Sequence, residues 1–285
     1  MRKTLLCLTV LLCLESPAFA TWSVIAIDKS TKRVVMAAAS CVNTTDEAMK
    51  TAIAVVVPGV GVAACQAAAD GSHQNQMLVF RELQKGTDPK QIIEMLSVDP
   101  AFQSRQFAIL DMQGRSSGHS GLGNGFVAQY ISGQVPGTEI FYAIQGNILR
   151  ARDVVPTAVK AFISTQGAIT DRVMAALEAA DAVGGDSRCA CPPSDGTTPP
   201  IPCDMKTSHV AYILMANPTD TNGDSHNNGK YALYIPVSQP DPNPLPAGAT
   251  THGPMQIKKG ESLNPVKTLR MRYDVWRKTM PANFK

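Results

Sequence analysis

The sequence predicts an α+β fold in which two mainly antiparallel sheets pack together and carry helices on their outer faces. Three observations point to it. Short apolar segments come in pairs separated by turn residues, the pattern of β-hairpins. Helical segments arrive in pairs rather than singly between strands, which disfavours a doubly wound parallel sheet. The strand segments are apolar on both faces, so each sheet has to be covered on both sides.

The elements follow in chain order. TWSVIAID (21–28) and VVMAAAS (34–40) read as strands joined by the polar turn Lys29 to Arg33. Segments 52–57 and 60–66 form a second hairpin around Pro58-Gly59. Ser72 is placed to cap a helix that carries Met77, Leu78, Phe80 and Leu83 and stops at Gly86. Asp88-Pro89 is an N-cap with Pro at the first helical position, ahead of Ile92, Ile93, Met95 and Leu96. Strands are expected at 106–111, near 116–120, at 126–131 and at 139–145. Helices follow over 153–163 and 171–183, the second ended by Gly184-Gly185. Residues 210–216 and 231–237 read as the last strands, with a polar loop at 217–230. Residues 238–265 hold six prolines and read as a linker or wrapping arm, and 267–278 has the pattern of a basic terminal helix.

With 285 residues, 44% hydrophobic and 17% charged, the chain can build a sizeable core, and wholesale disorder is excluded. The net charge of +3 is scattered and forms no basic stripe, so nucleic acid is not an expected partner. Arg2 and Lys3 precede the apolar stretch Leu5 to Leu14, and Ser16-Pro17-Ala18-Phe19-Ala20 follows. This is the layout of a signal peptide (1–20) with cleavage after Ala20, and the stretch is too short to span a bilayer. A periplasmic or secreted protein with no membrane association after processing is expected. Its domain would run over 21–237, with a tail over 238–285.

Cleavage there would leave Thr21 first. A Thr at a free N-terminus carries its own base: the α-amine has a reference pKa of roughly 8 and sits close to Oγ. Several further stretches carry a resemblance. They are Thr21-Trp-Ser-Val-Ile-Ala, Ala37-Ala-Ala-Ser40, Gly59-Val-Gly-Val-Ala-Ala-Cys-Gln66-Ala67, Arg105-Gln-Phe-Ala-Ile-Leu-Asp-Met-Gln-Gly-Arg115, Gln145-Gly-Asn-Ile-Leu149, and Ala175-Ala-Leu-Glu-Ala-Ala180 running into Gly184-Gly-Asp186. In this order they resemble an uncharacterised, mostly bacterial family assigned to the N-terminal-nucleophile (Ntn) hydrolase superfamily, with the QGN and GGD elements the most specific.

The resemblance implies a four-layer αββα sandwich of the proteasome type. It also implies a site where Thr21, Ser40, Gln66 with Ala67, Asn147, Asp186 and Ser208 converge. Thr21 would attack an amide through Oγ. Asp186 and Ser208, or the Asn147 side chain, would hold its amine. The backbone near Gln66 and Ala67, or the Asn147 amide, would meet the oxyanion. One departure is that proteasome-like members place an Asp near the end of the second strand and a Lys in the third. Here the second strand ends Ala-Ala-Ala-Ser40, and Lys50 precedes the third out of register. Two functions follow: an exported amidohydrolase or peptidase acting on a small amide or peptide, or a catalytically silent binding or assembly module on the same scaffold. Homo-oligomerisation stays open.

Beyond residue 20 the cysteines are Cys41, Cys65, Cys189, Cys191 and Cys203. Export makes a disulfide the default. The Pro-rich stretch 189–207 resembles an insertion in the family pattern, and a staple of Cys203 with Cys189 or Cys191 is expected there. Cys41 and Cys65 end neighbouring strands and either pair or stay buried as thiols. A zinc site from Cys189, Cys191, Cys203 and His209 has irregular spacing, so no metal or cofactor is expected. Asp220 to Asp224 opens like a calcium loop but lacks the sixth-position Gly and twelfth-position Glu. His73 and His119 are expected to face solvent.

Overall fold

The computed structural model describes residues 21–42, 44–189, 207–238 and 257–281. Strands β1 (Thr21–Asp28) and β2 (Arg33–Ser40) pair antiparallel with Thr21 opposite Ser40 and Asp28 opposite Arg33. The Asp28 carboxylate closes their turn by accepting the N–H and hydroxyl of Ser30. The second hairpin is β3 (Ala54–Val57) and β4 (Gly61–Ala67). It begins later than the sequence pattern implies, because residues 46–53 form a helix, α1 (Asp46–Ile53). Thr45 caps α1 by accepting the Ala48 N–H, and Asp46 and Glu47 complement the dipole of the first turn. Only Met49 and Ile53 anchor its apolar face, too few for a helical period to stand out in the sequence.

Helices α2 (Gln74–Lys85) and α3 (Pro89–Leu96) come next. Gly86 ends α2 in the left-handed region and Asp88 caps α3 through the Lys90 N–H. The expected Ser72 cap of α2 gives way to Asp70. That carboxylate accepts the N–H groups of Ser72 and Asn75 and leaves His73 at the cap position with φ of 58°. Strands β5 (Arg105–Asp111), β6 (Ser116–Ser120), β7 (Gln129–Gln134) and β8 (Ile140–Asn147) precede helices α4 (Val154–Ser164) and α5 (Ile169–Ala182). β7 starts three residues beyond the expected position. The 121–123 loop is tied to the chain before β5 and into it by Gly121 N–H to Arg105 O and Gly123 N–H to Gln103 O, and Phe126 is left exposed. Strands β9 (Val210–Ala216) and β10 (Leu233–Ser238) and helix α6 (Pro265–Thr279) complete the chain.

The strands form a six-stranded sheet, β10-β9-β2-β1-β8-β7, and a four-stranded sheet, β3-β4-β5-β6, with antiparallel neighbours throughout. Two antiparallel sheets and six α-helices among the described residues make the chain α+β. Period-2 alternation divides the strand side chains between apolar clusters. Trp22, Val24 and Ala26 of β1 pack with α4, α5 and α6; Ile25 and Ile27 meet Val62, Ala64 and Leu110 of the smaller sheet. The other face of that sheet, including Val55, Ala63, Cys65 and Ile109, packs on Val79 and Leu83 of α2 and Ile92 and Leu96 of α3. The expected basic helix exists as α6, and it is docked rather than free. Val266, Leu269 and Tyr273 are buried, the Tyr273 hydroxyl donates to Asp171 and is hydrogen-bonded to Thr170 Oγ, and Arg277 pairs with Asp171.

The Gly184-Gly185 turn after α5 needs glycine for two reasons. Both residues have positive φ, 105° and 47°. A Cβ on Gly185 would also fall 2.7 Å from the Trp22 ring, directly beside Thr21. Gly185→Ala should therefore cost about 1–3 kcal/mol in urea unfolding. Gly71→Ala, where a Cβ meets nothing within 4 Å and φ is not positive, should stay within about 0.5 kcal/mol of the parent.

Candidate functional site

One end of the six-stranded sheet collects the polar residues. β1 begins there, β2 and β8 end there, and Thr21 lies opposite both Ser40 and Asn147. Thr21 is 2% exposed and its Oγ donates to Ser40 Oγ at 3.1 Å; the Val42 N–H donates to the same Ser40 Oγ.

Beneath them runs a seam of buried amides between the sheets. Gln66 Nε2 donates to Thr21 O (2.9 Å) and to Gln106 Oε1 (2.8 Å), while Gln66 Oε1 accepts Ser23 Oγ (2.7 Å). Asn147 Nδ2 also donates to Gln106 Oε1 (3.1 Å), and Gln106 Nε2 donates to Gly146 O and Ser120 Oγ. Gln145 Nε2 donates to Ala64 O. The backbone is bent tightly at both sides of the seam. Ala67 has φ of 75° and the β-branched Ile148 has φ of 47°, conformations that cost of order 1–3 kcal/mol and persist only where the surroundings impose them.

The Asp186 carboxylate, wholly buried, accepts the Cys41 N–H at 2.8 Å and is gripped by Arg188 through its backbone N–H and guanidinium. It thereby anchors the chain just past Ser40. Ser208 is also fully buried, and the next residue, His209, donates its N–H to Ser40 O at 2.7 Å. Thr21, Ser40, Gln66 and Asn147 thus share one hydrogen-bonded assembly, with Asp186 and Ser208 at its margin beside Ser40. Among the described residues, Asn147 Oδ1 and Ser208 Oγ are buried without a hydrogen-bond partner. Each such group costs about 1–3 kcal/mol when it is left without a partner.

A cavity of about 200 Å³ opens at Thr21 and Ser40, with Val42, Met49, Ala52 and Ile53 among its walls. Its apolar wall is α1, the helix that the sequence pattern does not announce. Gln106 is also absent from the expected set. Its signal was a lone amide in the otherwise apolar run Phe107 to Leu110, on a strand whose partner residue is Gln66.

The cysteines depart from expectation. Cys41 and Cys189 form a disulfide, Cα–Cα 5.8 Å, because the Asp186 turn draws residue 189 against the end of β2. This excludes both the Cys41–Cys65 pair and a Cys189–Cys203 staple; Cys191 and Cys203 lie outside the described residues. Cys65 is a free, buried thiol whose pKa is pushed up by burial and further by nearby Asp70. The two histidines expected to face solvent are half-buried and packed on other rings. His119 stacks on Phe102 at 3.7 Å and bonds its carbonyl, and His73 packs 5.4 Å from the ring of His226. The 217–230 loop is no plain surface loop either. His226 and Asn227 are buried and bind Thr51 O, Lys50 O and Ala54 O, clamping the end of α1 and hence the cavity wall.

A family model described as a family of unknown function (DUF1028) matches residues 21–192. The chain belongs to this family. A crystal structure of another DUF1028 protein, from Silicibacter pomeroyi, superposes with a TM-score of 0.59 at 18% identity, covering 93% of this chain and 91% of that one. At that identity the likeness concerns the fold alone. Comparison with curated proteins returned no match. The DUF1028 match begins at Thr21, the residue that opens β1, and spans the cavity, the amide seam and the Asp186 turn.

Burial holds the pKa of His226 below its ordinary value. The folded state therefore binds this proton less readily than the unfolded chain, and stability falls as pH drops below about 6.5 toward the depressed folded value. His119 is lowered in the same direction, again by burial. Urea midpoints should decline between pH 7 and pH 5, and His226→Gln should flatten part of that decline.

Proposed function

We propose that this DUF1028 protein is an exported Ntn-type amidohydrolase or peptidase whose nucleophile is Thr21, freed by cleavage after Ala20. The observation that carries the reading is the placement of Thr21. It heads a central strand, is buried, is bonded through Oγ to Ser40, and opens on an apolar cavity. Two packed antiparallel sheets with helices outside each are compatible with the four-layer αββα arrangement of that superfamily.

In the proposed reaction Thr21 Oγ attacks the substrate carbonyl and its proton passes to the α-amine. The unpartnered Asn147 Oδ1, directly across the strand pair, and Ser208 Oγ supply acceptors that suit such an amine. Collapse of the tetrahedral species returns that proton to the leaving nitrogen and leaves an ester on Thr21. Water then adds to the ester, and loss of the Thr21 oxygen releases the acid. The cavity beside Met49 and Ile53 would take a small aliphatic group on the acyl side.

A second reading is a catalytically silent binding module. It is favoured by the engagement of the nearest charges elsewhere: Arg188 grips Asp186, and Lys50 pairs with Glu47 and lies over Tyr234.

Intact-mass measurement of the exported protein should give a chain starting at Thr21. An acylating electrophile selective for N-terminal nucleophiles should label it, and labelling should fall on the order of a thousandfold or more in Thr21→Ala. Thr21→Ser should retain labelling. Ala52→Phe, which fills the cavity, should suppress labelling by branched acyl groups more than by acetyl. A correctly trimmed chain that takes no label supports the binding module.

A further inference from the structure

We propose that Cys41, Cys189 and His209 form a thiolate–imidazole metal site in the reduced protein, selective for Zn²⁺, and that the disulfide is the oxidised form of that same site. This is independent of any amidase activity. One ligand atom from each of the three residues lies within 4.8 Å of the others. Two sulfurs and an imidazole nitrogen are a donor set suited to Zn²⁺, with the fourth tetrahedral position left to water.

The backbone supporting these residues is already fixed. Cys41 is held by its N–H on Asp186 Oδ2, Cys189 by its N–H on Asp186 O, and His209 by its N–H on Ser40 O. One buried carboxylate residue thus orients both sulfur-bearing segments, the supporting role that outer groups play around metal ligands. The Arg188 guanidinium offsets the buried carboxylate of Asp186, the residue on which the Cys41 and Cys189 N–H groups rest. Cys41 is at the border of burial and Cys189 is half-buried, which leaves the pair open to exchange.

The interconversion balances. A dithiol reductant supplies two electrons and two protons, becoming a disulfide itself, and the Cys41–Cys189 bond becomes two thiols. Zn²⁺ then displaces both thiol protons, which pass to solvent.

The test uses the full chain carrying Cys7→Ser, Cys13→Ser, Cys65→Ala, Cys191→Ser and Cys203→Ser, so that Cys41 and Cys189 are the cysteines remaining. Reduced and titrated with Co²⁺ without oxygen, it should bind one ion per chain with a thiolate-to-cobalt charge-transfer band, and Zn²⁺ should displace it. The oxidised form should bind none. His209→Ala should weaken Zn²⁺ by at least the roughly ten- to hundredfold that loss of an outer-shell partner costs, while intact mass still shows the disulfide forming under oxidant. In the otherwise unsubstituted reduced chain, Cys189→Ser should lose one Zn²⁺ equivalent. No charge-transfer band, equal Zn²⁺ affinity with and without His209, or an unchanged Zn²⁺ count in Cys189→Ser would each overturn the proposal.

Discussion

The contact on which the rest depends is the double donation of Gln66 Nε2 to Thr21 O and to Gln106 Oε1. Gln66 and Gln106 belong to the smaller sheet and Thr21 to the larger, so this amide ties the two sheets together at the head of a polar seam bounded by apolar side chains. Apolar packing alone is forgiving about how two sheets slide past each other. A buried amide is not, because any shift strands its donors and acceptors in a medium where each loss costs about 1–3 kcal/mol. The seam therefore sets the relation of the sheets at the end where Thr21 begins β1. Gln106, which receives both Gln66 and Asn147, makes that relation a three-way one.

The outer side of the same strand end is secured differently. There the chain leaves β2 at Ser40, and Asp186, the Cys41–Cys189 link and the His209 N–H all act within two residues of it. These ties join three segments distant in sequence: the end of β2, the turn after α5, and the start of β9. The turn can approach only because Gly185 lies flat against Trp22, which leads back to the residue next to Thr21. Covalent, ionic and steric constraints thus close on one short stretch of backbone, while the cavity beside it is bounded by the two-anchor helix α1 and clamped from outside by His226 and Asn227.

Much of this was legible in the sequence, for identifiable reasons. Strands of continuous apolar character and helices with Asp88-Pro89 or Gly86 punctuation express local preferences, and they fold where those preferences place them. Thr21, Ser40, Gln66 and Asn147 could be grouped only through the family resemblance, since nothing in their local sequence sets them apart from other polar residues at strand ends. What was not legible is what depends on long-range contact. α1 has too short an apolar face to announce itself, and its stability derives from packing on β4, β9 and β10. The partner of Cys41 is 148 residues away, and nothing local distinguishes Cys189 from Cys65. His119 and His73 look like surface residues until the ring each packs against is known.

The chemistry of the strand end is dipolar rather than ionic. Hydroxyls and amides of Thr21, Ser40, Gln66, Gln106 and Asn147 fill it, and the nearest carboxylate, Asp186, is matched by Arg188. In such surroundings a newly freed amine at Thr21 would find acceptors for its hydrogens but no adjacent fixed charge. Burial of Thr21 penalises an ammonium there, so the neutral amine, the form able to take the Oγ proton, would be favoured and would be lost only as the pH falls into the acid range. On the proposed reading, activity should rise through that range rather than show the acid optimum of a carboxylate-driven hydrolase. The cause is the burial of Thr21 among amides and hydroxyls rather than charges.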